Sequence, residues 1–145
     1  MQIDSLPTPS APALVPELLV CELSASLDFY CCLCGFHILY QRADGHFAYL
    51  QRDSAELMLE QAGVAPDVAA GKPDYPFGRG ISLQISVRDI DTLYARFAAH
   101  PALFLPMEEK WHATGNNQTG VKQFVAQDPD GYLLRFSQRL GIRPA

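Results

Sequence analysis

The stretch Asp128-Pro129-Asp130-Gly131-Tyr132-Leu133-Leu134-Arg135-Phe136-Ser137-Gln138 decides the fold. Its first four residues spell a tight turn. Proline presets φ at the second position, aspartate bonds back to the backbone, and glycine accepts positive φ. The residues that follow alternate. Tyr132, Leu134 and Phe136 fall on one side of a strand, and Leu133, Arg135 and Ser137 on the other. An arginine on the more polar side of a terminal strand is the residue on which the functional reading turns.

Working outward, residues 121–127 read as the partner strand, so 121–127 and 132–138 form a hairpin across the turn. A weaker strand at about 102–107 precedes a polar loop over 108–119. Before these, Ile81-Ser82-Leu83-Gln84-Ile85-Ser86-Val87 keeps a strict period of two, and Asp89 caps a helix with Ile90, Leu93, Tyr94 and Phe97 on one stripe. The first half repeats this order. A strand from Val15 to Val20 has Pro16 near its start, where a missing N–H is tolerable. Ser24 caps a short helix carrying Leu27, Phe29, Tyr30 and Cys31, which stops at Gly35. Strands at about 36–42, 46–52 and 55–61 follow, broken by Asp44-Gly45 and Asp53-Ser54.

Residues 62–80, rich in proline, glycine and alanine, read as a linker, and residues 1–13, with Pro7, Pro9 and Pro12, as a flexible N-terminal arm. The expectation is therefore an α+β chain in which 14–145 form one domain. It consists of two tandem βαβββ modules, about 14–61 and 81–138.

The length of 145 residues suits one domain with a proper core, and a formal charge of -5 argues against a nucleic-acid surface. The same charge favours a neutral or cationic ligand, or simply keeps the protein soluble. No basic-then-apolar leader opens the sequence and no apolar run approaches about 18 residues, so the expected location is cytoplasmic, away from any membrane. Cys21, Cys31, Cys32 and Cys34 lack the paired C-x-x-C spacing of zinc sites and read as free thiols of a reducing compartment.

On the four best strands, Leu18 and Val20, Leu57 and Leu59, Leu83 and Ile85, and Leu134 and Phe136 should pack beneath the helices. The opposite sides hold Glu17, Glu56, Met58, Glu60, Ser82, Gln84, Ser86, Arg135 and Ser137. Such polar sides either face water or, with two modules, line a cup. The sequence leaves both arrangements open.

Several separated motifs carry a resemblance. They are Leu19-Val20 followed by Leu23, Ser26, Asp28-Phe29-Tyr30 and Gly35-Phe36, the run 57–60, the run 81–89, and Asp128-Pro129-Asp130-Gly131-Tyr132-Leu133-Leu134-Arg135-Phe136. In this order they resemble the vicinal-oxygen-chelate superfamily, which includes glyoxalase I, fosfomycin-modifying enzymes, ring-cleaving dioxygenases and bleomycin resistance proteins. The resemblance covers about residues 14–138. It implies a curved mixed sheet cup with the helices outside. It leaves the chemistry open, because the fold hosts several activities.

In catalytic members the resemblance implies a divalent ion held by His, Gln or Glu from the first and last strands of each module. Matched by motif, those positions are Val15, Glu60, Ser82 and Arg135. Only Glu60 is a good ligand, and a guanidinium has no lone pair to give. An ion about 4 Å from Arg135 would feel a repulsion of roughly 8 kcal/mol at an effective dielectric of about 20. Arg135 pairing with Glu60, or two solvated side chains, are the alternatives. The four histidines, His37, His46, His100 and His112, form no ligand-spaced pair. No metal and no cofactor are expected.

Among the branches, the pattern is closest to the bleomycin resistance proteins. The resemblance implies a homodimer, with the N-terminal arm exchanging near Pro16, and sequestration of an unmodified drug in a dimer-interface crevice. Bleomycin is cationic and carries flat heteroaromatic rings. The expected ligand-binding residues are Phe47, Tyr49, Glu56, Glu60, Ser82, Trp111 and Arg135, with Phe36 and Glu108 as further candidates. Phe36, Phe47 and Tyr49 read as core ahead of ligand contacts. Drug-binding members carry a tryptophan shortly before the penultimate strand. Here that region, residues 118–122, has none, and Trp111 lies several residues earlier. The competing readings are a glyoxalase- or dioxygenase-type metalloenzyme with atypical ligands, and a binder of another small metabolite.

Overall fold

Parallel pairing of a first strand with a last strand closes each half of the chain. The computed structural model describes residues 12–64 and 71–145, and the chain divides between Asp74 and Tyr75 into two compact units. Each unit holds one four-stranded mixed sheet and a helix after its first strand, giving the α+β arrangement of two βαβββ modules. Most of the expected N-terminal arm, residues 1–11, lies outside the described residues, as do linker residues 65–70.

In unit 1, β1 (Glu17–Val20) leads into α1 (Leu23–Leu27), which continues as a π-helical turn over Asp28–Leu33. Then come β2 (His37–Gln41), β3 (Phe47–Arg52) and β4 (Ala55–Gln61), in the sheet order β1-β4-β3-β2. Gly35 ends the helical segment as expected, at φ 82°. Leu18, Val20, Leu57 and Leu59 are buried with Leu50 and Tyr30, so the sequence-assigned apolar side is a real core face. Each such aliphatic side chain contributes about 1.5–3 kcal/mol on burial.

Ser24 does not cap α1. Glu22 occupies the N-cap in an extended conformation without a side-chain hydrogen bond. The Leu23 N–H donates instead to Gln61 Oε1 at 3.0 Å. A partner from β4 thus satisfies the orphan donor that a local cap would have met.

In unit 2, β5 (Ser82–Ser86) and α2 (Ile90–Phe97) precede β6 (Leu103–Thr114), β7 (Asn117–Gln127) and β8 (Leu133–Pro144), in the order β5-β8-β7-β6. Asp89 caps α2 as expected, accepting from Thr92 N–H at 3.2 Å and from the Thr92 hydroxyl at 2.6 Å. Ile90, Leu93 and Phe97 are buried beside Phe124, Leu134 and Phe136, with Phe97 5.2 Å from Phe124 between ring centroids. The Ile90 N–H donates to Gln138 Oε1 at 2.9 Å, the counterpart of the Leu23–Gln61 contact.

The 128–131 turn holds as read. Asp128 Oδ1 accepts from the N–H groups of Asp130 (2.9 Å) and Tyr132 (2.8 Å). Gly131 has φ 102°, and a Cβ there would sit 2.5 Å from Pro76 Cβ and 2.6 Å from its Cα. The Phe77 N–H donates to the Asp130 carbonyl at 2.8 Å, and the Phe77 ring packs edge-on against Tyr132. The end of the linker region is therefore packed onto the turn and belongs to unit 2.

The expected polar loop over 108–119 is instead a continuous hairpin. Thr114 pairs with Asn117, and the two strands reach Leu103 and Gln127. β8 likewise runs past the expected end at 138 to Pro144. Most of 108–117 and 139–145 is exposed, so these strands carry polar residues on both faces and show no alternation to read.

Candidate functional site

Four of the residues singled out from sequence come together on the face of sheet 1 opposite its helix. The register sets Phe47 beside Glu60, Tyr49 beside Met58 and Gln51 beside Glu56. Phe47 and Tyr49 are buried and cluster with Leu39, Val15 and Met58 packing against them. Tyr40, on β2, stacks on Tyr49 with centroids 5.2 Å apart, and Arg42 lies 4.1 Å over the Phe47 ring. Tyr40 escaped the sequence reading because a bulge between Ile38 and Tyr40 breaks the alternation of β2.

Carboxylates border these rings. Glu56 is only 5 % exposed and accepts from the Tyr49 hydroxyl at 2.7 Å and from Gln51 Nε2 at 3.2 Å. Burial first, then the Glu56 hydrogen bond and charge, pushes the Tyr49 hydroxyl up to about 12. Glu60 hydrogen-bonds Glu17 across β1 and β4. That contact, with burial and the Glu60 charge, holds the Glu17 carboxyl above its ordinary value against a lowering by Arg42. The face is thus aromatic and acidic, with one arginine among its charges.

Ser82 and Arg135 belong to sheet 2. Gln84 pairs with Arg135 and Ser86 with Ser137, so Ser82, Gln84, Ser86, Arg135 and Ser137 share the face opposite α2. Arg135 is half-buried, and its Nε finds no hydrogen-bond partner among the described residues. It lines a cavity of about 160 Å³ with Met107, Glu108 and Gln123, and Gln123 Nε2 donates to Glu108 Oε1 at 3.0 Å.

Trp111 lies on the other face. It pairs with Gly120, next to the Glu109–Lys122 pair whose Lys122 ammonium reaches Asp91 of α2 at 2.7 Å. Its ring covers Gly120, where a Cβ would come within 2.6 Å, and Arg143 stacks on it at 3.9 Å. Its indole N–H donates to Glu109 at 3.2 Å. The hairpin itself is thus the packing partner of this tryptophan, and the strand pairing separates it from Arg135. Phe36 packs 5.8 Å from Tyr30 in the unit 1 core.

The profile of the Glyoxalase/Bleomycin resistance protein/Dioxygenase superfamily matches residues 13–136. The chain belongs to that superfamily. A superfamily member from Vibrio splendidus 12B01 is 35% identical over 87% of this chain and 97% of its own, with a TM-score of 0.41. TioX from Micromonospora sp. ML1 is 24% identical over 88% and 98% of the two chains, with a TM-score of 0.63. Lactoylglutathione lyase from Agrobacterium tumefaciens is 19% identical over 88% and 94%, with a TM-score of 0.52. The last two likenesses support the fold alone. No curated protein matches the sequence.

Catalytic members of the superfamily hold a divalent ion through the first and last strands of each module, so the donors at those positions need testing. Glu17 pairs with Met58 in β1/β4 as Gln84 pairs with Arg135 in β5/β8. The equivalent of Arg135 is therefore Met58, and Glu60 corresponds to Ser137. The motif alignment that put Glu60 in the ligand set was two residues out of register. The set becomes Val15, Met58, Ser82 and Arg135: no donor, a weak thioether, a neutral hydroxyl and a cation. These residues do not fit a divalent ion. Among the described residues no three His, Cys, Asp or Glu side chains are grouped to hold one.

Proposed function

We propose that the chain is a non-catalytic small-molecule binder of the bleomycin-resistance type, which sequesters a cationic, flat-ringed drug without altering it. The observation that carries this reading is the chemistry at the superfamily's metal positions, where Val15, Met58, Ser82 and Arg135 replace the oxygen and nitrogen donors that metal-assisted catalysis requires. The ligand class follows from sheet 1. Tyr40, 42% exposed and stacked on the buried Tyr49 ring, offers a face for a planar ring or a cation, worth about 0.5–2 kcal/mol. Glu17, Glu56 and Glu60 supply negative potential on the same face.

In this reading the protein works as a homodimer in the cytoplasm, with Pro16 marking where the N-terminal arm crosses to its partner. Affinity is its whole activity: ligand is held away from its target in proportion to protein present. The test is a calorimetric titration of metal-free bleomycin into EDTA-treated protein of known oligomeric mass. The expected result is saturation near one drug per subunit of an intact dimer, with the drug recovered unmodified. Absence of saturation rejects the drug assignment. Tight stoichiometric uptake of a divalent metal, measured in parallel, rejects the non-catalytic one.

A further inference from the structure

Where β5 ends and β8 continues, unit 2 carries an open groove of about 630 Å³ that the drug-binding reading does not use. Ser86 and Ser137 face each other on adjacent parallel strands, and the Val87 N–H donates to the Ser137 carbonyl at 2.9 Å. Beyond this pair β5 turns into α2, while β8 runs on to Pro144. The groove lies at that step. Arg88, Arg139, Ser86, Ser137, Thr119 and Gln84 contribute to its wall, and no aspartate or glutamate does.

The charge of this site is unbalanced in one direction. Neither Arg88 nor Arg139 takes part in an ion pair among the described residues, unlike Arg52, which pairs with Asp53, and Lys122, which pairs with Asp91. The carboxylate nearest in sequence, Asp89, is committed to Thr92 at the start of α2 through both of its oxygens. Two positions before Arg139 on the same face of β8 lies Ser137, and two before that Arg135, with its unpartnered Nε. A strip of β8 therefore alternates Arg135, Ser137 and Arg139 about 6.6 Å apart. In a chain whose net charge is -5, this local cluster of guanidinium and hydroxyl donors stands against the overall field.

Guanidinium groups present forked N–H donors that match oxyanions, and hydroxyls add donors that rotate to suit. We propose that this groove is a binding site for an oxyanion, the phosphate or carboxylate group of a small organic molecule, held by Arg88 and Arg139 with Ser86, Ser137 and Thr119 completing its hydrogen bonds. The groove is larger than a single such group, leaving room for the organic part of the ligand. The proposal concerns unit 2 alone and stands independently of bleomycin binding.

The test is an amide chemical-shift titration of the full chain in low-salt buffer, with inorganic phosphate in one arm and acetate in the other. Saturable shifts confined to Ser86, Val87, Thr119, Ser137 and Arg139 are expected. They should shrink as ionic strength rises, since the groove is open to solvent. Stronger saturation by phosphate identifies a phosphorylated ligand, and stronger saturation by acetate a carboxylate. Arg139→Gln and Arg88→Gln should each weaken the effect about tenfold or more, as loss of a charge-assisted hydrogen bond predicts. Arg139→Lys should retain part of it. Both arginines are exposed, so thermal melts of the variants should match the parent and serve as the folding control. Shifts that are non-saturable, spread over the surface, or unchanged in both glutamine variants would overturn the proposal.

Discussion

Replacing Tyr49 with phenylalanine removes one oxygen, the one that donates to Glu56 Oε1 at 2.7 Å. The ring keeps its stacking on Tyr40 and its place in the buried cluster, so little else changes. Glu56 is 5 % exposed and also accepts from Gln51 Nε2, at a longer 3.2 Å. A hydrogen bond to a charged group is worth about 1.5–3 kcal/mol, and the buried acceptor left short of a partner adds to the loss. With Gln51 still in place, Tyr49→Phe should cost about 2 kcal/mol. For a chain of this size that is a fall of roughly 4–8 °C in melting temperature. Urea unfolding at neutral pH should show the midpoint lowered with the slope unchanged. The double-mutant cycle with Glu56→Gln isolates the contact, and a coupling of about 1–2 kcal/mol is expected. If Tyr49→Phe stays within about 0.5 kcal/mol of the parent and the cycle is additive, the carboxylate does not depend on the hydroxyl. The assignment of Tyr49 and Glu56 to a mutually satisfied pair then fails.

Three further outcomes follow from the same geometry. Gly131→Ala must accept φ 102° and a Cβ 2.6 Å from the Pro76 backbone, so it should lower stability by about 2–4 kcal/mol in the same urea assay. Tyr49, with its folded value pushed from 10 to about 12, contributes stability that is complete below pH 10 and is lost as pH rises from 10 to 12. Absorbance at 295 nm should lose one late-ionising tyrosine step in Tyr49→Phe. Glu17 is also raised, so its contribution is present below the ordinary carboxylate value and disappears as pH rises through the folded one. Glu60→Gln should bring the Glu17 titration, followed by carboxyl NMR, back toward 4.5 and stabilise the protein at pH 7 but not at pH 3.

The strands of unit 1 were legible to within a residue or two because Asp44-Gly45 and Asp53-Ser54 punctuate clean alternation. β3 and β4 pair as β-hairpin arithmetic demands. The hairpin of β6 and β7 was not, since its outer half is solvated on both faces and polar residues carry no period there. A signal was present all the same. Gly115-Asn116, with Gly115 at φ 65°, is a two-residue hairpin turn set between Thr114 and Asn117. The candidate site was half legible. Period-two reasoning placed Glu56, Met58 and Glu60 on one face, but it gave none to Phe47 and Tyr49, which the register adds, and it assigned Trp111 to a loop. Counting residues back from a motif also could not fix the Glu60 register, because a shift of two keeps every side chain on the same face. Only the pairing of β1 with β4 resolves it.

Gln61 and Gln138 have a consequence for how the chain is made. Each sits on the last strand of its module and satisfies the first N–H of that module's helix, 38 residues away in one case and 48 in the other. The first strand of each module likewise finds its neighbour only in the last. A nascent chain can form the β2–β3–β4 meander locally, but β1 and the start of its helix must wait until Gln61 has been synthesised. Closure is thus the late, long-range event of each module, and its loop entropy is met only when the whole module is available. A ribosome-stalled chain ending before residue 61 should hold its first strand unprotected from proteases, whereas one extended past it should become resistant in a single step.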